Sequence, residues 1–144
     1  MIYREWKYED IAAIAELERA YFSDPWSFRM LADSFMGGRF VTVLLEDDGE
    51  IVGYGAAVAG TNEADIAIVA VEESRRSRGV GREIVKRLEE KLFSMGLERL
   101  FLEVRVSNSA ALSLYLKCGF TGRSVRPRYY GDGEDAVIMV KEKP

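Results

Sequence analysis

Arginine and glycine crowd one short stretch of this chain, Arg75-Arg76-Ser77-Arg78-Gly79-Val80-Gly81-Arg82, and the chemistry open to that combination is the binding of a phosphorylated ligand. The stretch falls between an apolar run and the first turn of an amphipathic segment, so the unpaired N–H groups and partial positive charge of a helix N-terminus would face it. Glycine at 79 and 81 lets a pyrophosphate approach the backbone, and the flanking arginines add charge-assisted hydrogen bonds. Neither the nucleoside-triphosphate loop, with its closing Gly-Lys-Ser/Thr, nor the three-glycine dinucleotide fingerprint is present. The same charges, continued by Lys86 and Arg87, also suit a solvated helix face.

What the chain lacks narrows the chemistry further. It has no histidine and one cysteine, Cys118, which excludes serine–histidine triads, cysteine–histidine pairs, histidine-ligated zinc and an internal disulfide. Acid–base work falls to carboxylates, tyrosines, lysines or bound water, and no metal is expected. Cys118 reads as a small apolar residue at a helix end, with nothing around it to make a nucleophile. A net charge of −4 and a pI near 5.0 speak against a nucleic-acid partner. With 144 residues, 48% of them hydrophobic, one domain over residues 1–144 is expected. No apolar run has the length of a signal peptide or a membrane span, so the expected location is the cytoplasm.

The elements that would position the loop follow from apolar periodicity. A strand over residues 2–6 leads to a helix over 9–22, on which Ile11, Ile14, Ala15, Glu18 and Tyr21 share a face. Asp24-Pro25-Trp26-Ser27 is turn chemistry, and Ser27 is placed to cap a short helix to residue 35, closed by Gly37-Gly38. Strands over 40–45 and 51–59 flank an Asp-Gly step and should pair as a hairpin. A buried strand over 64–71, the Arg/Gly loop, a helix over 79–95 and a strand over 100–106 form a βαβ unit, for which a right-handed crossover is expected. A helix over 109–117 and strands over 120–125 and 136–140 complete an α/β fold, a mixed sheet of six or seven strands with about four helices.

The order strand, Arg76-x-x-Gly79-x-Gly81, helix, strand, Asn108, helix, Tyr115 resembles the GNAT superfamily of acetyl-coenzyme A-dependent N-acetyltransferases, over essentially the whole chain. Within it, Asp24-Pro25-Trp26-Ser27, Leu102-Glu103-Val104-Arg105 with Ser107-Asn108, Leu114-Tyr115 with Gly119-Phe120, and Arg128-Tyr129-Tyr130 with Glu134-Asp135-Ala136 are similar to the RimI branch, the ribosomal-protein-alanine N-acetyltransferases. The resemblance implies acetyl-CoA as co-substrate, held along its pantetheine arm by the backbone of Ala70 and Val71 and by Asn108. Its pyrophosphate would lie on Ser77, Arg78, Gly79, Val80, Gly81 and Arg82, with Arg76 beside them. Glu103 would be the general base and Tyr115 the general acid, and a backbone N–H of the strand over 64–71 would serve the oxyanion. Relatives often carry proline where Glu73 stands, a departure that alters loop stiffness.

These roles agree with the chemistry of the residues. Glu103 lies in an apolar run, where burial raises a carboxylate's pKa toward that of a useful base; pairing with Arg105 is the structural alternative. Tyr115 shares a helix face with Ala111 and Leu114, as a core aromatic also would, and a phenol can protonate a departing thiolate. For the acceptor, Tyr129 and Tyr130 with Asp132, Glu134 and Asp135 form an aromatic and acidic patch suited to a cationic peptide terminus. Trp26 would line the same groove or staple the short helix. An α-ammonium near 7.7–8.0 loses its proton more readily than a lysine near 10.4, which favours the N-terminal amine of a protein, a ribosomal protein by the resemblance. Lysine side chains, a small amine, or a non-catalytic coenzyme A sensor are the rival readings. The protein should act as a monomer or, through an exposed edge strand, a weak homodimer.

Overall fold

Alternating burial along the strands sorts their side chains to two faces of one sheet, and helices cover both. The computed structural model describes residues 1–144. In chain order it contains β1 (Ile2–Arg4), α1 (Ile11–Tyr21), α2 (Phe28–Met36), β2 (Phe40–Asp47), β3 (Glu50–Ala59), β4 (Glu63–Val71), α3 (Val80–Ser94), β5 (Arg99–Arg105), α4 (Ser109–Lys117), β6 (Thr121–Arg126) and β7 (Ala136–Glu142). The seven strands run β1-β2-β3-β4-β5-β7-β6 across the sheet, with β4 and β5 parallel and the other neighbours antiparallel.

The larger core lies under α3, whose Val80, Ile84, Leu88 and Leu92 meet Val43, Ala57, Ile66, Leu100 and Leu102 of the sheet. Gly53 and Gly55 make this approach possible. A Cβ at Gly55 would stand 2.6 Å from Ile84 Cγ2 and 3.1 Å from Leu88 Cδ1. On the opposite face α1 and α2 bury Ile11, Ile14 and Leu31 against Trp6, Leu44, Tyr54 and Ile68. Ile66 and Ile68 are two residues apart yet belong to opposite cores. The reason is a bulge: Ala56 pairs with Ile68 and Ala57 with Ile66, which leaves Ala67 as the extra residue of β4.

Several boundaries differ from the sequence expectation for identifiable reasons. The first strand ends at Arg4 because Trp6 turns inward, donating its indole N–H to the Val43 carbonyl at 2.9 Å. Residues 8–10 form a 3₁₀ turn and the α-helix begins only at Ile11, with the Asp10 carboxylate held by Arg4 at 2.8 Å and by the Lys7 N–H at 2.6 Å. The Asp48-Gly49 step makes a tight two-residue turn, both residues having positive φ (54° and 81°), so the hairpin strands run further than residues 45 and 51. β6 is exposed along its whole length as an edge strand.

Substituting Gly55 by Ala should lower the free energy of unfolding by about 1–3 kcal/mol, the usual range for overpacking, in a denaturant titration. Gly122→Ala, whose Cβ would meet only Val137 Cγ1 at 4.0 Å, should leave the midpoint nearly unchanged.

Candidate active site

Parallel strands β4 and β5 pair only at Glu63–Arg99, Ala64–Leu100 and Asp65–Phe101, and beyond that point they part. The gap becomes a cleft of about 670 Å³, walled by Ile66 to Val69 of β4, Glu103 to Arg105 of β5, and Asn108, Ala111 and Tyr115 at the start of α4. Its β4 edge carries free backbone groups. Glu72 donates its N–H to the Val52 carbonyl at 2.9 Å, so antiparallel alternation turns the N–H and C=O of Ala70 toward β3 and those of Val69 and Val71 toward the cleft. The backbone of Ala70 is therefore engaged in the ladder with Tyr54, and Val69, which sequence reasoning passed over, takes its place on the open edge.

The Arg/Gly loop closes one end of this edge. The first backbone bond of α3 runs from the Glu83 N–H to the Gly79 carbonyl at 3.0 Å, which leaves the N–H groups of Val80, Gly81 and Arg82 free for an anion. Gly79 adopts φ 82° and Ser77 φ 65°, both in the left-handed region, so the loop turns sharply into the helix. Gly81 has a different reason for being glycine: a Cβ there would stand 3.3 Å from Leu114 Cδ2, so its absence lets α4 approach α3. The arginines also divide by role. Arg75 pairs with Asp47 at 2.6 Å, Arg76 Nε donates to the Val71 carbonyl at 3.1 Å, and Arg87 pairs with Glu83 at 2.8 Å. Arg78 and Arg82 form no ion pair, and the Arg82 side chain lies on the wall of a neighbouring groove.

Glu103 and Tyr115 both line the cleft. On β5, Leu100, Leu102 and Val104 fill the core under α3, and so Phe101, Glu103 and Arg105 point the other way. Glu103 is half-buried and forms no ion pair; burial, and secondarily the charge of Asp65, push its carboxyl above the ordinary glutamate value, with Arg126 opposing. Tyr115 packs edge-on against Phe120 at 6.1 Å, and burial raises its phenol above the ordinary value. Asn108 caps α4, its Oδ1 accepting the Ala111 N–H at 3.1 Å, which fixes one side of its amide and presents the rest to the cleft. Cys118 stands at the far end of α4 in the neighbouring groove, its thiol pushed up by burial.

Two rims border the opposite mouth, and Arg105 clasps them together. Its guanidinium donates to Asp132 at 2.8 Å and Glu134 at 3.0 Å in the β6–β7 loop, and to Ser23 and Asp24 at 3.2 Å each in the α1–α2 segment, while lying 4.1 Å over the Tyr130 ring. A Cβ at Gly131 would meet Asp24 Oδ1 at 3.2 Å, so glycine there lets the rims touch. This corrects two expectations. Arg105 is the partner of Asp24, Asp132 and Glu134 and not of Glu103, and the loop acids are held inside the protein, Asp135 by the Arg128 N–H at 2.9 Å. The aromatic part of the expected patch does reach the cleft: Tyr129 and Tyr130 meet edge-to-face at 5.0 Å, with burial pushing the Tyr130 phenol up to about 12.

Trp26 lines the cleft and also packs on Phe40 at 5.8 Å and on the core that contains Leu31. Its N–H donates to Glu18 at 3.0 Å, and the Tyr54 hydroxyl donates to the same carboxylate at 2.8 Å. Glu18 is 1% exposed, and burial raises its pKa. In sequence it looked like one more residue of an apolar helix face; a carboxylate at a core position was the available signal that it anchors something.

Comparisons with known proteins agree with this layout. A family model described as the acetyltransferase (GNAT) family matches residues 11–120. An uncharacterized N-acetyltransferase of Methanocaldococcus jannaschii is 34% identical over 145 residues, covering 100% of this chain and 93% of that protein. The ribosomal protein bS18-alanine N-acetyltransferase of Escherichia coli is 33% identical over 133 residues, covering 90% of this chain and 89% of the relative. Among solved structures, the ribosomal-protein-S18-alanine N-acetyltransferase from Escherichia coli superposes with a TM-score of 0.88 at 30% identity, over 98% of this chain and 92% of that one. Ard1 from Thermoplasma volcanium superposes with a TM-score of 0.90 at 24% identity, over 99% and 97% of the two chains, a likeness of fold.

Two substitutions separate anchoring from clasping. Glu18→Ala strands two buried donors, and the fall in unfolding free energy in a denaturant titration should be about 2–4 kcal/mol, with Glu18→Gln losing less than half of that. Arg105→Ala, acting on partly exposed partners, should shift Tm by only a few degrees and raise the KM for the acceptor roughly 5- to 20-fold in steady-state assays.

Proposed function

Since the chain belongs to the GNAT acetyltransferase family and is an N-acetyltransferase by that membership, we propose that it acetylates the N-terminal α-amine of a protein, with a ribosomal protein beginning in alanine as the candidate acceptor. The observation that carries this reading is Glu103, a half-buried carboxylate without a cation partner, facing a cleft whose other wall holds Tyr115. Similarity over nearly the full chain to an enzyme named for a ribosomal alanine terminus supports the acceptor class.

The residues present fit acetyl-CoA. The free N–H groups of Val80, Gly81 and Arg82 suit a pyrophosphate, and the open β4 edge, with both backbone groups of Val69 and the N–H of Val71, whose carbonyl is taken by Arg76, suits the amides of a pantetheine arm. Acetyl-CoA supplies an acyl group already activated as a thioester. Ala67, left unpaired with β3 by the bulge, is the candidate source of an N–H for a developing oxyanion. Glu103 accepts the proton of the incoming ammonium through one water, and its raised pKa brings it closer to the α-amine it serves. Tyr115 keeps its proton throughout the neutral range, because burial disfavours the phenolate, and so remains a donor. With Cys118 in a separate groove, the amine attacks the acyl group directly with both substrates bound, and no acyl-enzyme is formed.

Short peptides with a free N-terminus should be acetylated, and the same peptides with a blocked terminus should not. Glu103→Gln should lower kcat/KM about 10²- to 10³-fold near neutrality and remove the acid limb of the rate profile; Tyr115→Phe should cost about tenfold. Because the Glu103 pKa is raised, the wild-type rate should rise with pH through a limb above the ordinary glutamate range. Transfer to a lysine in a blocked peptide would favour the lysine reading, and cofactor binding with no transfer to any amine would favour the sensor.

A further inference from the structure

A second carboxylate stands on the same face as Glu103 and belongs to no interaction described so far. Asp65 forms the last paired rung of β4, opposite Phe101 of β5. Its neighbour Ala64 fills the core under α3, so Asp65 points to the other face, the one shared by Phe101 and Glu103. Strand spacing and rise place it diagonal to Glu103, roughly 8 Å away between Cα atoms where the strands begin to part, a span that side chains and one water can bridge.

Asp65 has no hydrogen-bond or ion-pair partner, although Glu63 on its own strand is paired with Arg99. It lines a second hollow of about 540 Å³, at the closed end of the strand pair, whose walls include Thr61, Asn62 and Glu98. Glu103 lines the cleft and Asp65 lines the hollow, with Phe101 between the two spaces. The other charged and titratable groups around Glu103 are Arg126 from β6, Tyr129 and Tyr130 from the rim and Tyr115 from α4; Arg123 stacks over Phe101 at 5.5 Å. None of these can take a proton from a carboxylic acid at neutral pH, since the arginines are already charged and the phenols titrate far higher. Two other carboxylates line the cleft, but Glu18 holds the Trp26 N–H and the Tyr54 hydroxyl and Asp24 is paired with Arg105, so Asp65 is the one whose charge acts on Glu103 and that has no partner of its own.

We propose that Asp65 takes over the amine's proton from Glu103 and releases it into the hollow, away from the bound substrates. This rests on the reading of Glu103 as the base. The ammonium loses its proton through water to the Glu103 carboxylate; the Glu103 acid passes it, again through water, to Asp65; and Asp65 gives it to solvent. Both carboxylates end as they began, and no electrons change hands. By its charge Asp65 also adds to the effect of burial in raising the Glu103 proton affinity. Asp65 acts through Glu103 and is a supporting residue.

The test compares wild type, Asp65→Asn and Asp65→Glu by kcat/KM against pH on a free-amine peptide, alongside a carbon-detected NMR titration of Glu103 that needs no turnover. In Asp65→Asn the Glu103 titration and the acid limb should both move to lower pH, the plateau kcat should fall about tenfold, and a small carboxylate base such as acetate, able to take the proton in place of Asp65, should restore much of it. Asp65→Glu should restore the wild-type profile, and all three proteins should melt alike. An unmoved Glu103 titration overturns the proposal. So does a moved titration with an unchanged rate profile, because the amine's proton then follows another path. Failure to acetylate any amine would instead overturn the acetyl-transfer reading, and the NMR titration would still report the coupling.

Discussion

The whole arrangement depends on a sheet that stops pairing. Parallel strands usually run side by side for their length, but β4 and β5 share only three rungs, and every group that should have continued the ladder is left facing a gap. Unpaired N–H and C=O groups away from water are costly unless something else satisfies them. On the proposed reading, the open edge would take an amide-bearing arm and the adjoining helix terminus a pyrophosphate, so that the co-substrate would complete the sheet's missing bonds. Side-chain identity matters less along this edge than strand direction, which explains how a loop with only two of its arginines unpaired, Arg78 and Arg82, can suffice.

The parting has to be held open, and separate devices do so on each side. Beneath it, α3 sits close to β3 through Gly53 and Gly55, and α4 sits close to α3 through Gly81. Above it, Glu18 fixes the segment carrying Trp26, and Arg105 ties that segment to the β6–β7 loop. The two anchors differ in kind. Glu18 is buried and its bonds are shielded from solvent, whereas two of the three carboxylates in the clasp of Arg105, Asp24 and Asp132, are more than half exposed. Core physics therefore governs one rim and surface electrostatics governs the contact between the two, a division that lets the mouth adjust to an acceptor without loosening the floor.

Much of this was legible in the sequence because its signals are local. Period and turn chemistry located all seven strands and four helices, the Asp-Gly hairpin and the Ser27 cap, though not the cap that Asn108 provides. The resemblance carried by the order from Gly79 to Tyr115 pointed to Glu103 and Tyr115, and both line one cleft. What could not be read was pairing at a distance. The bulge at Ala67 is invisible in composition, since Ile66 and Ile68 look like one face of a regular strand. The partners of Arg105 come from segments far apart in the chain, so the loop acids looked free when they were engaged. Nor does the sequence show Leu114 beside Gly81, a packing reason for glycine that adds to its free N–H.

The engaged state of those acids bears on how an acceptor is selected. A free acidic mouth would attract any cation, lysine side chains included, through long-range charge alone. With Asp132 and Glu134 bound to Arg105 and Asp135 held by the loop backbone, the rims offer aromatic surface from Trp26, Tyr129 and Tyr130. Of the carboxylates without an ion pair on this face, Glu103 is half-buried in the cleft, Glu18 is buried against Trp26 and Tyr54, and Asp65 is exposed at the last paired rung. An amine entering the cleft between the rims therefore meets aromatic surface before it reaches Glu103. A chain terminus presents its amine on short backbone and can do so with its first residues against the aromatic rims. The α-amine also needs less help to lose its proton than a lysine does. On the proposed reading, with Glu103 as the base and a chain terminus as the acceptor, geometry and proton affinity point the same way, because the α-amine is the one a carboxylate can more easily deprotonate.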